Sequence, residues 1–237
     1  MLIADKVVNV MYSKIFFMYQ PKFHYEDVCG YEALLRAVFD DGSIIYPNKL
    51  MKKHKEDLFF DYFIINKVIG ELVGLNHSGI RKHPVSINVS SRFMSSEIDI
   101  EQLNLEKAVA FHLQLEFEIL ESDKISDFDM CNKNISLLSS LGISVSLDDF
   151  GTEFCSIERL SRLHHIKFVK LDKSLIDGIE HESSKLKVLK AICVLIKEFN
   201  FEVLAEGVET QEVYHLLLQL GIAYYQGFLL GRPLLIP

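Results

Sequence analysis

Residues 15–38 read IFFMYQPKFHYEDVCGYEALLRAV, and the spacing inside this stretch decides the fold. Two apolar runs, Ile15–Pro21 and Tyr31–Val38, are separated by only nine residues. A parallel crossover needs a dozen or more, usually with a helix in it. The two runs are therefore expected to form an antiparallel hairpin that turns between His24 and Gly30. A turn centred near Glu26 sets Gln20 opposite Glu32.

Six more β-branched or apolar runs follow: PVSINVS (84–90), LEFEIL (115–120), ISVSLDDF (143–150), FVKLDKS (168–174), FEVLAEGV (201–208) and AYYQGFLL (223–230). Helical periodicity fills most of the gaps, over 57–75, 123–141, 174–199 and 210–220, with Thr210 as an N-cap. Strands alternating with helices imply parallel pairing through right-handed crossovers. Their nearly continuous apolar character fits strands buried on both faces. Eight such strands close more naturally into a barrel than into an open sheet. The expected fold is α/β, a modified (β/α)8 TIM-type barrel with its first strand antiparallel. No linker, repeat or low-complexity stretch interrupts it, so residues 1–237 are expected to form a single domain.

The chain has 237 residues, 49% of them hydrophobic, and a formal charge of −8. That balance argues against a nonspecific nucleic-acid surface, which would be basic. A small anionic substrate stays open, because metal ions can supply local positive charge. The four cysteines are scattered, with no CxxC, and read as reduced thiols packed as small apolar residues. The nine histidines form no HExxH, and His164-His165 reads as a helix end. Phe59-Phe60 and Tyr224-Tyr225 read as core or barrel packing. No apolar stretch reaches the roughly 18 residues of a membrane span. The N-terminus carries Asp5 and Lys6 where a signal peptide would be apolar. A cytoplasmic protein is expected.

Barrel chemistry sits at the strand C-terminal ends. The polar residues there are Asn88, Glu118, Asp148, Asp149, Lys170, Glu206 and Gln226, with Glu32 joining from the hairpin. Asp148-Asp149 is the costliest pair, since adjacent like charges repel and burying either one unpaired is unfavourable. Hard oxygen ligands of this kind suit Mg²⁺ or Mn²⁺ rather than zinc. Two aspartates can hold two ions with one carboxylate bridging, an arrangement suited to in-line phosphoryl displacement. Each residue also has a structural alternative. Glu118 could be half of a buried ion pair, Lys170 could pair with Asp148, and Asn88 could cap the next helix. Asp149-Phe150-Gly151 matches the protein-kinase DFG tripeptide, but no glycine-rich loop or His-Arg-Asp accompanies it.

Taken together the motifs resemble the EAL family of cyclic-di-GMP phosphodiesterases. They run from Tyr19-Gln20-Pro21 through Glu32-Ala33-Leu34-Leu35-Arg36, Asn88-Val89-Ser90, Glu118-Ile119-Leu120-Glu121-Ser122 and Asp148-Asp149-Phe150-Gly151-Thr152. Lys170-Leu171-Asp172, Ala205-Glu206-Gly207-Val208-Glu209-Thr210 and Gln226-Gly227-Phe228 complete the series, so that the similarity covers 19–233. The resemblance implies that Glu32, Asn88, Glu118, Asp148, Asp149 and Glu206 hold two Mg²⁺ or Mn²⁺ ions. It implies that a water between them attacks one phosphate of cyclic-di-GMP, with Lys170, Asp149 and Glu206 catalytic and linear pGpG as product. Gln20, Leu35, Arg36 and Pro233 would contact the dinucleotide. Glu121 would steady the loop after Asp149, and Glu209 and Gln226 would support the metal shell. A homodimer is also implied.

Two stretches depart from the family pattern. Glu153-Phe154-Cys155-Ser156 stands where the family has glycine, an aromatic and two serines, which puts a side chain and a negative charge beside an anionic site. LMKKHKEDLFF (50–60) replaces an Ala-Glu and glycine pattern. No cyclase or sensory domain is recognisable, so regulation is expected from elsewhere, through a protein partner for example. The competing readings are a non-catalytic module that binds the nucleotide or a protein partner, and an unrelated sugar-phosphate barrel enzyme.

Overall fold

The computed structural model describes residues 14–38, 44–45, 57–75, 79–120, 124–152 and 157–235. β1 (Lys14–His24) and β2 (Asp27–Val38) form the expected antiparallel hairpin, with Tyr25 and Glu26 as its turn. Its register sets Gln20 opposite Glu32. A two-residue β3 (Ile44–Ile45) pairs with the end of β2. β4 (Val85–Val89), β5 (Leu115–Ile119), β6 (Ser144–Phe150), β7 (Phe168–Leu171), β8 (Glu202–Ala205) and β9 (Tyr224–Tyr225) then follow in parallel from β2. β9 pairs antiparallel with β1 and closes the barrel. Among the described residues the barrel is a closed eight-stranded mixed one in which β1 alone is reversed.

Several of the helices begin at a side-chain cap. α1 (Leu58–Gly74) starts at Asp57, whose side chain accepts from the Phe59 amide. Most of its circumference is buried, from Phe60 to Leu72, whereas Phe59 is 57% exposed and is not a core residue. α2 (Ser91–Met94) is capped by Ser90, which accepts from the Phe93 amide, so Asn88 is not the cap. α3 (Leu105–Ala110) and α4 (Phe128–Ser140) follow, the latter capped by Asp127. His164-His165 lie just past the end of α5 (Ile157–Arg162). The single helix expected over 174–199 is in fact two, α6 (Lys173–Ile176) and α7 (Ser183–Glu198), with Gly178 between them at φ 78°. α8 (Gln211–Gln219) begins at Thr210, whose hydroxyl accepts from the Val213 amide. Among the described residues no helix is long and apolar enough to cross a membrane.

Strand side chains alternate between two faces. On β5, Leu115, Phe117 and Ile119 join the apolar core, while Glu116 and Glu118 lie on the opposite face, toward the barrel axis, where they meet Lys22 and Lys170. Ile87, Val169, Leu171 and Val203 repeat the outward pattern. The barrel therefore has an apolar shell and a charged axis. Cys131 and Cys193 are buried free thiols and Cys29 is a half-buried one.

Candidate active site

Five strands deliver a ring of polar side chains at the top of the charged axis. Glu32 comes from β2, Asn88 from β4, Glu118 from β5, Asp148 and Asp149 from β6, and Lys170 from β7; Glu206 stands just past β8. Glu32, Glu118 and Asp148 each present an oxygen within 4.8 Å of the others, and Asp148, Asp149 and Glu206 do the same. Asp148 is common to both groups.

Two adjacent strand residues would ordinarily point to opposite faces. Asp149 avoids this by taking a left-handed backbone, φ 53°, while the β6–β7 register slips between Leu147 and Phe150. The left-handed region costs a residue with a Cβ about 1 kcal/mol, least for Asn and Asp. The result is two neighbouring carboxylates aimed into one ring. Gly151 follows at φ 116°, and a Cβ there would run into the Leu175 side chain, so the turn needs glycine.

Lys170 occupies the centre of the ring. Its Nζ lies 2.7 Å from Asp148 Oδ1, 2.8 Å from Glu118 Oε2, 2.7 Å from Glu206 Oε1 and 3.5 Å from Glu32 Oε2. Burial lowers the Lys170 pKa, but Asp148, Glu118, Glu206 and Glu32 outweigh it, so the ammonium is held well above its ordinary value. One ammonium does not balance the carboxylates. Burial pushes Asp148 well above the usual range in spite of Lys170, and Glu206, Asp149 and Glu118 add repulsion. Burial likewise raises Asp149, and takes Glu206 to about 7. Glu118 goes the other way. Burial raises it, yet Lys170 and Lys22 together bring it down to about 2.

Glu32 is gripped from three sides. Asn88 Nδ2 donates to its Oε1 at 2.8 Å, Gln226 Nε2 donates to its Oε2 at 2.7 Å, and Lys170 stands behind. Gln226 also donates to Gln20 Oε1 at 3.3 Å, and Gln20 Nε2 donates to the Gly231 carbonyl at 3.1 Å. Gln20 thus ties the ring to the segment that carries Pro233. That segment is anchored by a two-way backbone bridge between Tyr19 and Leu234.

Two expected contacts fall elsewhere. Leu35 is 4% exposed and, by strand alternation, faces away from Glu32 and Arg36, into the shell. Leu34, half-buried and on the face of Glu32, is the leucine turned toward the site. Glu209 does not reach the ring. It is exposed on the rim, where its carboxylate pairs with Lys173 at 2.7 Å. Glu121, and with it Glu153–Ser156 and residues 50–56, lie outside the described residues.

Lys22 and Glu116 belong to the charged axis, although nothing in their immediate sequence marks them. Lys22 is 3% exposed and lies 3.0 Å from Glu116 Oε1 and 2.9 Å from Glu118 Oε1. Parity was the available signal, since Lys22 is two residues from Gln20 and Glu116 two from Glu118.

The donor set fits divalent cations. Carboxylates and an amide oxygen are the ligands that Mg²⁺ and Mn²⁺ favour. Asn88 Oδ1 and Gln226 Oε1 are buried without a hydrogen-bond partner, and leaving such an atom unsatisfied costs about 1–3 kcal/mol. A cation beside Asn88 would satisfy its oxygen and offset the repulsion among the carboxylates.

The model of the EAL domain matches residues 10–233. The cyclic di-GMP phosphodiesterase PdeF of Escherichia coli is 28% identical over 228 residues, 94% of this chain and 30% of its own. The signaling protein YkoW of Bacillus subtilis is 32% identical over 223 residues, 91% of this chain and 28% of its own. The chain thus spans less than a third of the length of these curated relatives. The solved PaMucR phosphodiesterase in complex with c-di-GMP superposes with a TM-score of 0.79 at 26% identity, covering 98% of this chain and 95% of that one. The manganese/cy-diGMP complex of Klebsiella pneumoniae BlrP1 gives a TM-score of 0.77 at 25% identity, covering 93% of this chain and 56% of that one.

Proposed function

Because the chain belongs to the EAL domain family, we propose that it hydrolyses cyclic di-GMP to linear pGpG with the help of two divalent cations, Mg²⁺ or Mn²⁺. The observation that carries this reading is the ring itself: two groups of carboxylates sharing Asp148, with an unpartnered Asn88 oxygen beside them. Glu32, Asn88, Glu118 and Asp148 would hold one ion, and Asp148, Asp149 and Glu206 the other. Bound there, the ions would polarise the scissile phosphate and lower the pKa of a nucleophilic water.

The chain's own groups do the rest. In the metal-free ring the surrounding carboxylates hold Lys170 protonated, which places it as a hydrogen-bond donor and counter-charge. It orients the attacking water and balances negative charge as the phosphate passes through its transition state. Asn88 and Gln226 fix the Glu32 carboxylate, so that ligand stays in place during turnover. Arg36, on the face of Glu32 and Leu34, supplies positive charge to the substrate phosphates at the strand ends. Gln20 and Pro233 shape the wall where a guanine would lie.

Glu32→Ala tests the reading. Purified wild type supplied with cyclic di-GMP and either metal should yield pGpG, and the variant should yield none while keeping its fold. Wild-type rates in Glu32→Ala would remove the ring from the chemistry. Nucleotide binding without product in the wild type would favour a non-catalytic binding module.

A further inference from the structure

Lys22 is the one buried cation of the axis with no assigned task. It comes from β1, the reversed strand, one parity step below Gln20, and faces inward beside Gly30. A Cβ at Gly30 would crowd the Pro84 carbonyl at 3.2 Å and touch Lys22 Cε at 3.4 Å. The Nζ bonds Glu116 Oε1 and Glu118 Oε1, and Glu118 Oε2 accepts from Lys170. Glu118 is therefore spanned by two ammoniums, one on each oxygen. Below Lys22 a cavity of about 180 Å³, lined by Cys29, Glu116, Lys167 and Tyr224, opens toward the base of the barrel.

Two roles are available to a lysine placed like this. It could simply neutralise Glu116, which is 1% exposed. But Glu116 has other donors, namely Lys167 Nζ at 3.3 Å, Ser146 Oγ at 3.1 Å and Ser144 Oγ at 3.3 Å. Glu118, 0% exposed, has only Lys22 and Lys170 among the contacts described. Lys22 fixes its Oε1 from below, which sets the rotamer and leaves Oε2 facing the ring. Without that anchor Glu118 would be free to turn and would hold Lys170 as its sole counter-ion. We infer that Lys22 is a positioning residue, acting through Glu118 to aim that carboxylate at a bound cation. This rests on the reading of the ring as a cation site.

The sign of the effect separates this from electrostatics alone. Removing a positive charge beside a cation site should tighten cation binding if field were all that mattered. Loss of aim should weaken it, and outer partners of metal ligands are worth about 10–100-fold in affinity or activity. The variant Lys22→Met/Glu116→Gln removes one charge of each sign, so the net charge of the axis is kept while the anchor on Glu118 is lost. Its Mn²⁺ dissociation constant, measured by calorimetry on protein with a wild-type circular dichroism spectrum, should rise at least tenfold. Cyclic di-GMP kcat should fall with KM unchanged, because Lys22 lies below the ring and away from its mouth. Glu116→Gln alone should leave Mn²⁺ affinity within twofold. Wild-type affinity in the double variant would overturn the inference. Should the double variant not fold, Lys22→Arg keeps the charge and shifts Glu118 with a wider fork. The same loss of Mn²⁺ affinity is expected there, and wild-type affinity would overturn the inference equally. A wild type that binds no Mn²⁺ would overturn the cation-site reading and this inference together, whereas a wild type that binds it with unaltered variants overturns only the inference.

Discussion

Stripping divalent metal and raising the pH should destabilise this fold, and Glu206→Gln should remove the share that comes from this one carboxyl. Burial raises the Glu206 carboxyl from 4.5 to about 7 in the folded chain; Lys170 opposes the rise, and Glu32 and Glu118 add to it. Between those two values the folded state keeps a proton that the unfolded state has released. The stability this group contributes is then fully present below about pH 4.5 and is lost as the pH rises through 7. The displacement corresponds to about 3 kcal/mol for this one group. For a chain of this length that is a melting temperature lower by about 6–12 °C. Calorimetric melts in chelator between pH 5 and pH 8.5 measure it directly. Glu206→Gln has no carboxyl to ionise and should be flatter over this range by about 3 kcal/mol. With Mn²⁺ the order should reverse, since the ion binds the ionised ring and wild type should become the more stable. Parallel melting curves for wild type and Glu206→Gln in chelator would refute the reasoning, because they would mean that burial does not raise the Glu206 carboxyl in the folded chain.

Other outcomes follow from the same geometry. Lys170→Met leaves the ring without its central cation. It should abolish turnover and cost the metal-free fold about 3–5 kcal/mol, the penalty of a buried pair broken on one side, with Mn²⁺ restoring part of it in thermal melts. Asp149→Asn keeps a residue that tolerates φ 53°. It should melt within about 1 kcal/mol of wild type while losing at least about 100-fold in kcat. In Asp61→Asn, the group that accepts from the Ser90 amide and hydroxyl loses its charge, and the destabilisation should be about 1–3 kcal/mol, read from denaturant midpoints.

Much of this was legible in the chain because spacing and parity are strict. Nine residues between two apolar runs exclude a crossover, and the hairpin that results pairs Gln20 with Glu32 in the expected register. The ring residues sit at strand ends, where barrel chemistry belongs. What escaped was mostly parity within a strand. Leu34 and Leu35 are equivalent by composition, and only alternation from Glu32 separates the one facing the site from the one packed in the shell. Lys22 reads as a surface lysine in PKFH until the hairpin register turns it inward. Glu116 needs only the step of two from Glu118. The joint aim of Asp148 and Asp149 depends on a left-handed residue, which a sequence of adjacent acids does not announce. The helix break at Gly178 was hidden by the polar, helix-compatible Glu180-His181-Glu182 that follows it.

On the reading proposed above, the ring turns over cyclic di-GMP with two cations. The most direct test is pGpG formation by chelator-stripped protein as Mn²⁺ is titrated back. No product is expected without metal, then a rate that rises with more than first-order dependence on Mn²⁺ and saturates at two ions bound per chain. Saturation of both sites with cyclic di-GMP bound and no pGpG released would contradict it.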